Sequence, residues 1–341
     1  MVQPIPQSSD IAWLSHGGDL AAARRLFPGA PEPFIDLSTG INPHSYPVPQ
    51  LASEAYARLP EPVALDRVAA AAAVTYGAPS RHHVVPAPGT QILLAAAAAQ
   101  IAPGSAIVLG PTYAEFAQAA TLAGHRVIEV TDIARSVDAD LAILANPNNP
   151  DGRVLGRDQV LAVAATLRRH RGLLLIDEAF MDVGPPEASL CGEVDRGIVV
   201  LRSFGKFYGL AGVRLGFALA PPDLAARLAA WLGPWAVSGP ALAIGAAALV
   251  DSAWAQAMRE RLAAEAQRLD AVLAAAGLDV AGGTSLFRLV ETRSANEVFH
   301  RLGRAGIWVR RFAERPAWLR FGLPADEAAW GRLRAALAAG R

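Results

Sequence analysis

The chain has 341 residues, 52% of them hydrophobic and 18% charged, enough to fill one large core or two modest ones and too apolar for a disordered protein. Its 31 lysines and arginines balance 31 aspartates and glutamates, so no basic excess points to nucleic acid or an anionic membrane, and any anion it binds should be small. The one cysteine, Cys191, excludes an internal disulfide, fits a reducing compartment and reads as a small buried or loop residue.

The opening "MVQPIPQSSD" lacks a basic region followed by an apolar one, so no secretory signal is visible and the expected location is the cytoplasm. Residues 1–50 are rich in proline and carry little periodicity, and they are expected to pack across the rest of the chain. Within them lie "HGGDL" at 16–20 and "IDLSTGINP" at 35–43. By residue type alone, His16 with Gly17 and Gly18 reads equally as a flexible linker or as a substrate contact.

From about residue 85 to 220, the runs "SAIVLG", "HRVIEV", "LAILANP", "GLLLIDEAF", "GIVVLRSF" and "RLGFALA" alternate with longer helical stretches. Strands buried on both faces read this way, and the alternation implies an α/β fold with a mostly parallel sheet wrapped by helices. Ligands of such sheets sit at the carboxyl ends of the strands, so the polar residues after each run are the place to look. The runs "ILLAAAAAQIA" and "ALAIGAAALV" are too short to span a bilayer and read as buried helices. Beyond residue 222 come the helices "PPDLAARLAAWLG" and "SAWAQAMRERLAAEAQRLDAVLAAAG", then a strand, helix, strand, strand pattern from "SLFRLV" to "WLRFGLP". The expected organisation is a large domain over 45–240 and a smaller α+β unit built from 1–44 and 241–341. His82-His83 lacks partners at metal-ligand spacing and reads as a polar loop, and the scattered tryptophans read as helix packing.

Several residues at strand ends and helix starts carry chemistry. Gly89, Thr90 and Gln91 open a helix, where free N–H groups and the helix dipole favour a phosphate. Asn149 lies in "NPNNPDG", a turn that would hold an amide toward a ligand oxygen. Asp177 ends the apolar strand "LLLID", where an acid is costly unless paired. Ser203 and Arg214 flank Lys206, the sole lysine among 31 basic residues. A lysine amine can lose its proton and attack a carbonyl, which a guanidinium cannot; by itself Lys206 reads equally as such an amine or as a chance surface lysine. Taken together, an amine, a carboxylate, a ring-oxygen donor and a phosphate cradle fit one cofactor, pyridoxal phosphate.

Those motifs resemble the fold type I pyridoxal-phosphate enzymes, in the class that includes histidinol-phosphate aminotransferase. "NPNNPDG" is similar to the family's Asn-Pro-x-Asn-Pro-[Thr/Ser]-Gly, "DEAF" to its Asp-Glu-Ala-[Tyr/Phe], and "SFGKFYGLAGVRLG" to its Ser-x-x-Lys and Gly-x-Arg-x-Gly segments. The resemblance implies a seven-stranded-type sheet in the large domain, Lys206 on the cofactor's aldehyde carbon, Asp177 on its ring nitrogen, and Asn149 on its ring oxygen. Tyr113 would stack on the ring, while Gly89, Thr90, Gln91, Ser203 and Arg214 would surround the phosphate. It also implies Arg310 and Arg320 on the substrate's anionic groups and a homodimer. Phe180 stands where many relatives carry a tyrosine, and Leu59 where they often carry a tyrosine that reaches the partner subunit. "HGGDL", "IDLSTGINP", "DEAFMDV" and "GGTSLFRLV" narrow the resemblance to the cobalamin-biosynthetic threonine-phosphate decarboxylases, which implies His16, Gly17 and Asn42 on the substrate side and O-phospho-L-threonine as substrate. An aminotransferase would use the same cofactor residues, and a non-catalytic binding module would have lost them.

Overall fold

A computed structural model describes residues 16–339, with backbone alone at 136–138. Residues Ser45–Arg259 form one compact unit, and the described residues up to His44 together with those from Glu260 onward form another. In chain order the strands are β1 (Ile35–Leu37), β2 (Val84–Ala87), β3 (Ser105–Leu109), β4 (Arg126–Val130), β5 (Leu141–Ala145), β6 (Leu173–Asp177), β7 (Ile198–Ser203), β8 (Gly216–Leu219), β9 (Val280–Thr284), β10 (Phe287–Glu291), β11 (Ile307–Arg311) and β12 (Trp318–Gly322).

The first unit is built on a seven-stranded sheet in the order β2-β8-β7-β6-β5-β3-β4. Pairings from β7 through β6, β5 and β3 to β4 are parallel, and β8 is antiparallel to both β7 and β2. β8 therefore runs against all the others. Strands β5, β6 and β7 are buried along nearly their whole length, which is why "LAILA", "LLLID" and "IVVLRS" are continuous aliphatic runs rather than alternating ones. Helix Thr90–Ala98 lies against the sheet with Leu93, Leu94, Ala96, Ala97 and Ala98 in the core. β2, "VVPA", was hidden by its proline; it occupies the sheet edge, the place where a residue without an N–H is tolerated.

The second unit carries a five-stranded sheet in the order β1-β11-β12-β10-β9. From residue 16 onward the N-terminal segment carries more regular structure than its composition suggests. It supplies a helix, Leu20–Leu26, capped by Asp19 Oδ1 on the Ala22 N–H at 2.8 Å, and then β1, which pairs in parallel with β11. Helix Ala295–Arg304 turns Val298, Phe299 and Leu302 inward, and Phe299 packs at 5.6 Å from Phe27 and 5.2 Å from Trp308. Each such ring contributes about 1.5–3 kcal/mol by leaving water.

Two smaller expectations need correction. His83 is not in a polar loop: it sits buried in the turn Arg81–His83, with Nδ1 3.0 Å from Ser80 Oγ and Nε2 3.1 Å from Asp195 Oδ1. Trp308 and Trp330 are buried against helices, but Trp231 and Trp235 are 52% and 60% exposed. Cys191 is buried, as its residue type suggested. Among the described residues no single helix is long and apolar enough to cross a membrane.

Candidate active site

The strand order gathers the first unit's site residues along one edge of its sheet. Parallel strands share a carboxyl edge, so the chain leaving β3 at Tyr113, β5 at Asn149, β6 at Asp177 and β7 at Ser203 does so on the same side. The reversed strand β8 begins where the others end: Gly216 pairs with both Ser203 and Ala87. Arg214 and Gly89, each two residues from that pairing, therefore arrive at the same edge from opposite directions.

Gly89 and Arg214 fit each other. Gly89 has φ +90°, and a Cβ built there would lie 2.7 Å from Arg214 Nη2. That φ is what calls for glycine, and the missing side chain leaves the guanidinium room to approach. Arg214 itself takes the left-handed conformation, φ 55°, which costs a residue with a side chain about 1–2 kcal/mol and brings the guanidinium against the start of helix Thr90–Ala98. A cation beside a helix N-terminus, with Ser203 next door in register, is a place for a phosphate. Gln91 is the second residue of that helix, and its side chain does something the sequence did not suggest. Its Oε1 accepts from Tyr113 Oη at 3.2 Å while its Nε2 donates to Glu115 Oε2 at 2.9 Å, so it sets the position of the tyrosine ring.

Lys206 lies in the short helix Phe204–Phe207 that follows β7, with Nζ 5.7 Å from the centre of the buried Phe180 ring. Asp177 closes β6, between Ala145 and Leu201. Burial pushes its carboxyl up to about 6, against the pull of the Ala179 N–H at 3.0 Å and of the Lys206 charge. The group is poised for a cationic partner. In "NPNNPDG" the labour is divided. Asn146 and Asn148 are buried and bind protein groups: Asn146 Oδ1 takes the Leu155 N–H, Asn148 Nδ2 donates to Asp151 Oδ1 at 2.8 Å, and Asn148 Oδ1 takes the hydroxyl of Thr112, from the loop after β3, at 2.7 Å. Asn149, by contrast, is only partly buried.

Sequence reading missed the support behind Asp177. Arg202 Nη1 meets Glu178 Oε2 at 3.0 Å and its Nη2 meets Asp182 Oδ1 at 3.0 Å, with all three side chains out of water. Glu178 also accepts the Leu190 N–H and the Ser189 hydroxyl, both at 2.7 Å, and Arg202 stacks 4.3 Å over the Tyr76 ring. This network ties the segment after Asp177 to the strand that ends in Ser203. A charged residue inside "IVVLRS" was the available signal, since such a residue needs a buried partner.

In the second unit, Arg310 and Arg320 stand directly opposite each other on the antiparallel pair β11 and β12. Like charges in that position repel, and the arrangement makes physical sense when an anion lies with them. Arg320 is buried, with its Nη2 donating to the Ser38 carbonyl at 2.7 Å and its guanidinium 5.1 Å from the Phe287 ring. Burial first, then Arg310, push its pKa down to about 9, while Asp36 opposes them; it stays a cation at neutral pH. Asn42 is buried and its Oδ1 takes the His44 N–H at 2.8 Å, an Asx turn that shapes the "INP" segment. His16 is exposed, and Gly17 lies against Ser38.

Comparisons with known proteins identify the family. The family described as aminotransferase class I and II matches residues 33–336. A threonine-phosphate decarboxylase of Pseudomonas aeruginosa is 46% identical over 329 residues, which cover 95% of this chain and 97% of the relative. Another from Sinorhizobium sp is 43% identical over 334 residues, covering 96% and 98%. The crystal structure of histidinol-phosphate aminotransferase from Sinorhizobium meliloti in complex with pyridoxal-5'-phosphate superposes with a TM-score of 0.77 over 93% of each chain at 23% identity, a likeness of fold. With its ordered motifs, its sheet topology and a family match across nearly its whole length, the chain belongs to the class I and II aminotransferases.

Proposed function

We propose that the protein binds pyridoxal phosphate and removes carbon dioxide from O-phospho-L-threonine to give (R)-1-amino-2-propanol O-2-phosphate, the linker of the cobalamin nucleotide loop. The observation that carries this reading is 46% identity to a threonine-phosphate decarboxylase over 95% of the chain. The residues fit the cofactor: Gly89 leaves a cradle that a Cβ would fill, Arg214 brings a cation to it, and the Asp177 carboxyl suits a protonated ring nitrogen. Lys206 would fasten the aldehyde, Asn149 would donate to the ring oxygen, Tyr113 would cover the ring, and Gly89, Thr90, Gln91, Ser203 and Arg214 would surround the phosphate.

When bound, the cofactor supplies a sink for the electron pair left as the bond from Cα to the carboxylate breaks. The chain's own part is binding and proton handling. Arg310 and Arg320 grip the substrate's anionic groups by guanidinium forks, with His16, Gly17 and Asn42 on the same side. Holding both anionic groups fixes which Cα bond breaks. Lys206 Nζ returns a proton to Cα after carbon dioxide leaves. Asp177 stays ionised throughout and holds the cation beside it.

The protein works as a homodimer in the cytoplasm. A groove of about 510 Å³ in the first unit, lined by Pro60, Leu65 and Trp235 among others, is the surface a second copy would cover, and the same unit exposes Tyr56, Leu59 and Trp231. The test of the substrate is product identity. Phosphorus and proton NMR on the loaded enzyme should reveal phosphorylated aminopropanol from O-phospho-L-threonine and no product from threonine. Transfer of the amino group from histidinol phosphate to 2-oxoglutarate, with phosphothreonine untouched, would replace this reading with an aminotransferase.

A further inference from the structure

Ser38 is buried completely at the end of β1, and three parts of the second unit converge on it. Its hydroxyl donates to Asp36 Oδ1 at 2.6 Å, and its N–H donates to the same oxygen at 2.8 Å. The hydroxyl oxygen also accepts the Gly18 N–H at 2.8 Å. Its carbonyl oxygen accepts from Arg320 Nη2 at 2.7 Å. Gly17 lies so close that a Cβ there would be 2.4 Å from that carbonyl oxygen, and Gly18 has φ +92°. The two glycines are thus needed for contact, one by close approach and one by conformation.

We infer that Asp36 and Ser38 are positioning residues that latch the His16-Gly17-Gly18 segment beside Arg320. His16 is exposed and two glycines follow it, so the bond at Gly18 and the contact at Gly17 act on a backbone with wide conformational latitude. With Asp36 fixing the hydroxyl rotor, the Ser38 oxygen is left with a lone pair aimed at the Gly18 N–H, and one residue orients both the histidine-bearing segment and the buried arginine. The part assigned to Ser38 and Asp36 is positional rather than contact with substrate. Their part is to hold His16 at a set distance from the guanidinium, so that a phosphate or carboxylate meets both at once without first ordering the segment. The inference rests on the reading above that His16 and Arg320 hold the substrate's anionic groups.

A double-mutant cycle on the loaded enzyme tests it. Ser38→Ala should raise KM for O-phospho-L-threonine about tenfold, the scale of one lost hydrogen bond to a positioned group, with kcat and the visible spectrum of the bound cofactor little changed. In a His16→Ala background the same substitution should have almost no further effect. If Ser38→Ala prevents folding, Gly17→Ala, whose Cβ meets the Ser38 carbonyl, should reproduce the KM rise by pushing the segment off it. A Ser38→Ala effect of equal size in both backgrounds, or an unchanged KM, overturns the latch and leaves the role of His16 standing. An unchanged KM in His16→Ala alone overturns that role, and the latch with it.

Discussion

In the first unit the residues that would hold the cofactor stand at or just beyond strand ends, whereas in the second the two arginines stand inside their strands, facing each other across a ladder. The large sheet builds its site by topology: one reversed strand, β8, brings Gly216 next to Ser203 and Ala87, and the loops that follow converge. The small sheet builds its site by register, which sets two cations opposite one another at an electrostatic cost. A site made from loop starts depends on what anchors the strand ends, while a site made from a ladder depends on every residue that fixes the ladder. The first should fail through chemistry, the second through affinity.

The largest expected effect is at Lys206. Lys206→Ala should lower kcat/KM roughly 10⁴-fold or more, because no neighbouring amine replaces it, and should alter the visible band of the bound cofactor. Retained activity would break the assignment of the strand-end row as the site. Arg202→Met comes next and acts on stability. It leaves Glu178 and Asp182 as buried carboxylates without their cation, and chemical denaturation should register a loss of about 3–5 kcal/mol. In the second unit the balance reverses: Arg320→Met should raise KM about 100-fold while the melting temperature holds or rises, since one of two facing like charges is gone. A fall in kcat at constant KM would erase the contrast between the two sheets.

The smallest effect is one of pH. Burial raises the Asp177 carboxyl to about 6, so between about pH 4 and 6 the cofactor-free folded chain retains a proton that the unfolded chain has released. Stability from this group is therefore greatest at the acid end of that window, falls as pH rises through it, and stays low above 6. Asp177→Asn should flatten that slope in melting temperatures recorded between pH 4.5 and 7.5 and should weaken cofactor binding. A slope that survives the substitution would assign it to another group.

Much of the large unit was legible because its evidence is local. Buried parallel strands write themselves as aliphatic runs, and Lys206 stands out as the one lysine in the chain. What stayed hidden depends on partners distant in sequence. β9, "VAGGT", carries two glycines and no alternation, and β1 is three residues long; each exists because a neighbour pairs with it. Glu178 and Arg202 lie 24 residues apart, and Ser38 and Gly18 lie 20 apart, so neither pair leaves a periodic trace. Gln91 was placed at the phosphate by its position in the helix, yet its side chain is engaged with Tyr113 and Glu115, a choice of rotamer that no motif spells out.

The central claim is tested most directly by counting carbon dioxide released from O-phospho-L-threonine per active site, with pyridoxal phosphate present and no 2-oxo acid. A decarboxylase turns over many times under these conditions, and that is the predicted result. Carbon dioxide that is absent or stops at one equivalent, with turnover appearing only when 2-oxoglutarate is added, would contradict the account, because a transaminase stalls once its cofactor has taken up the amino group.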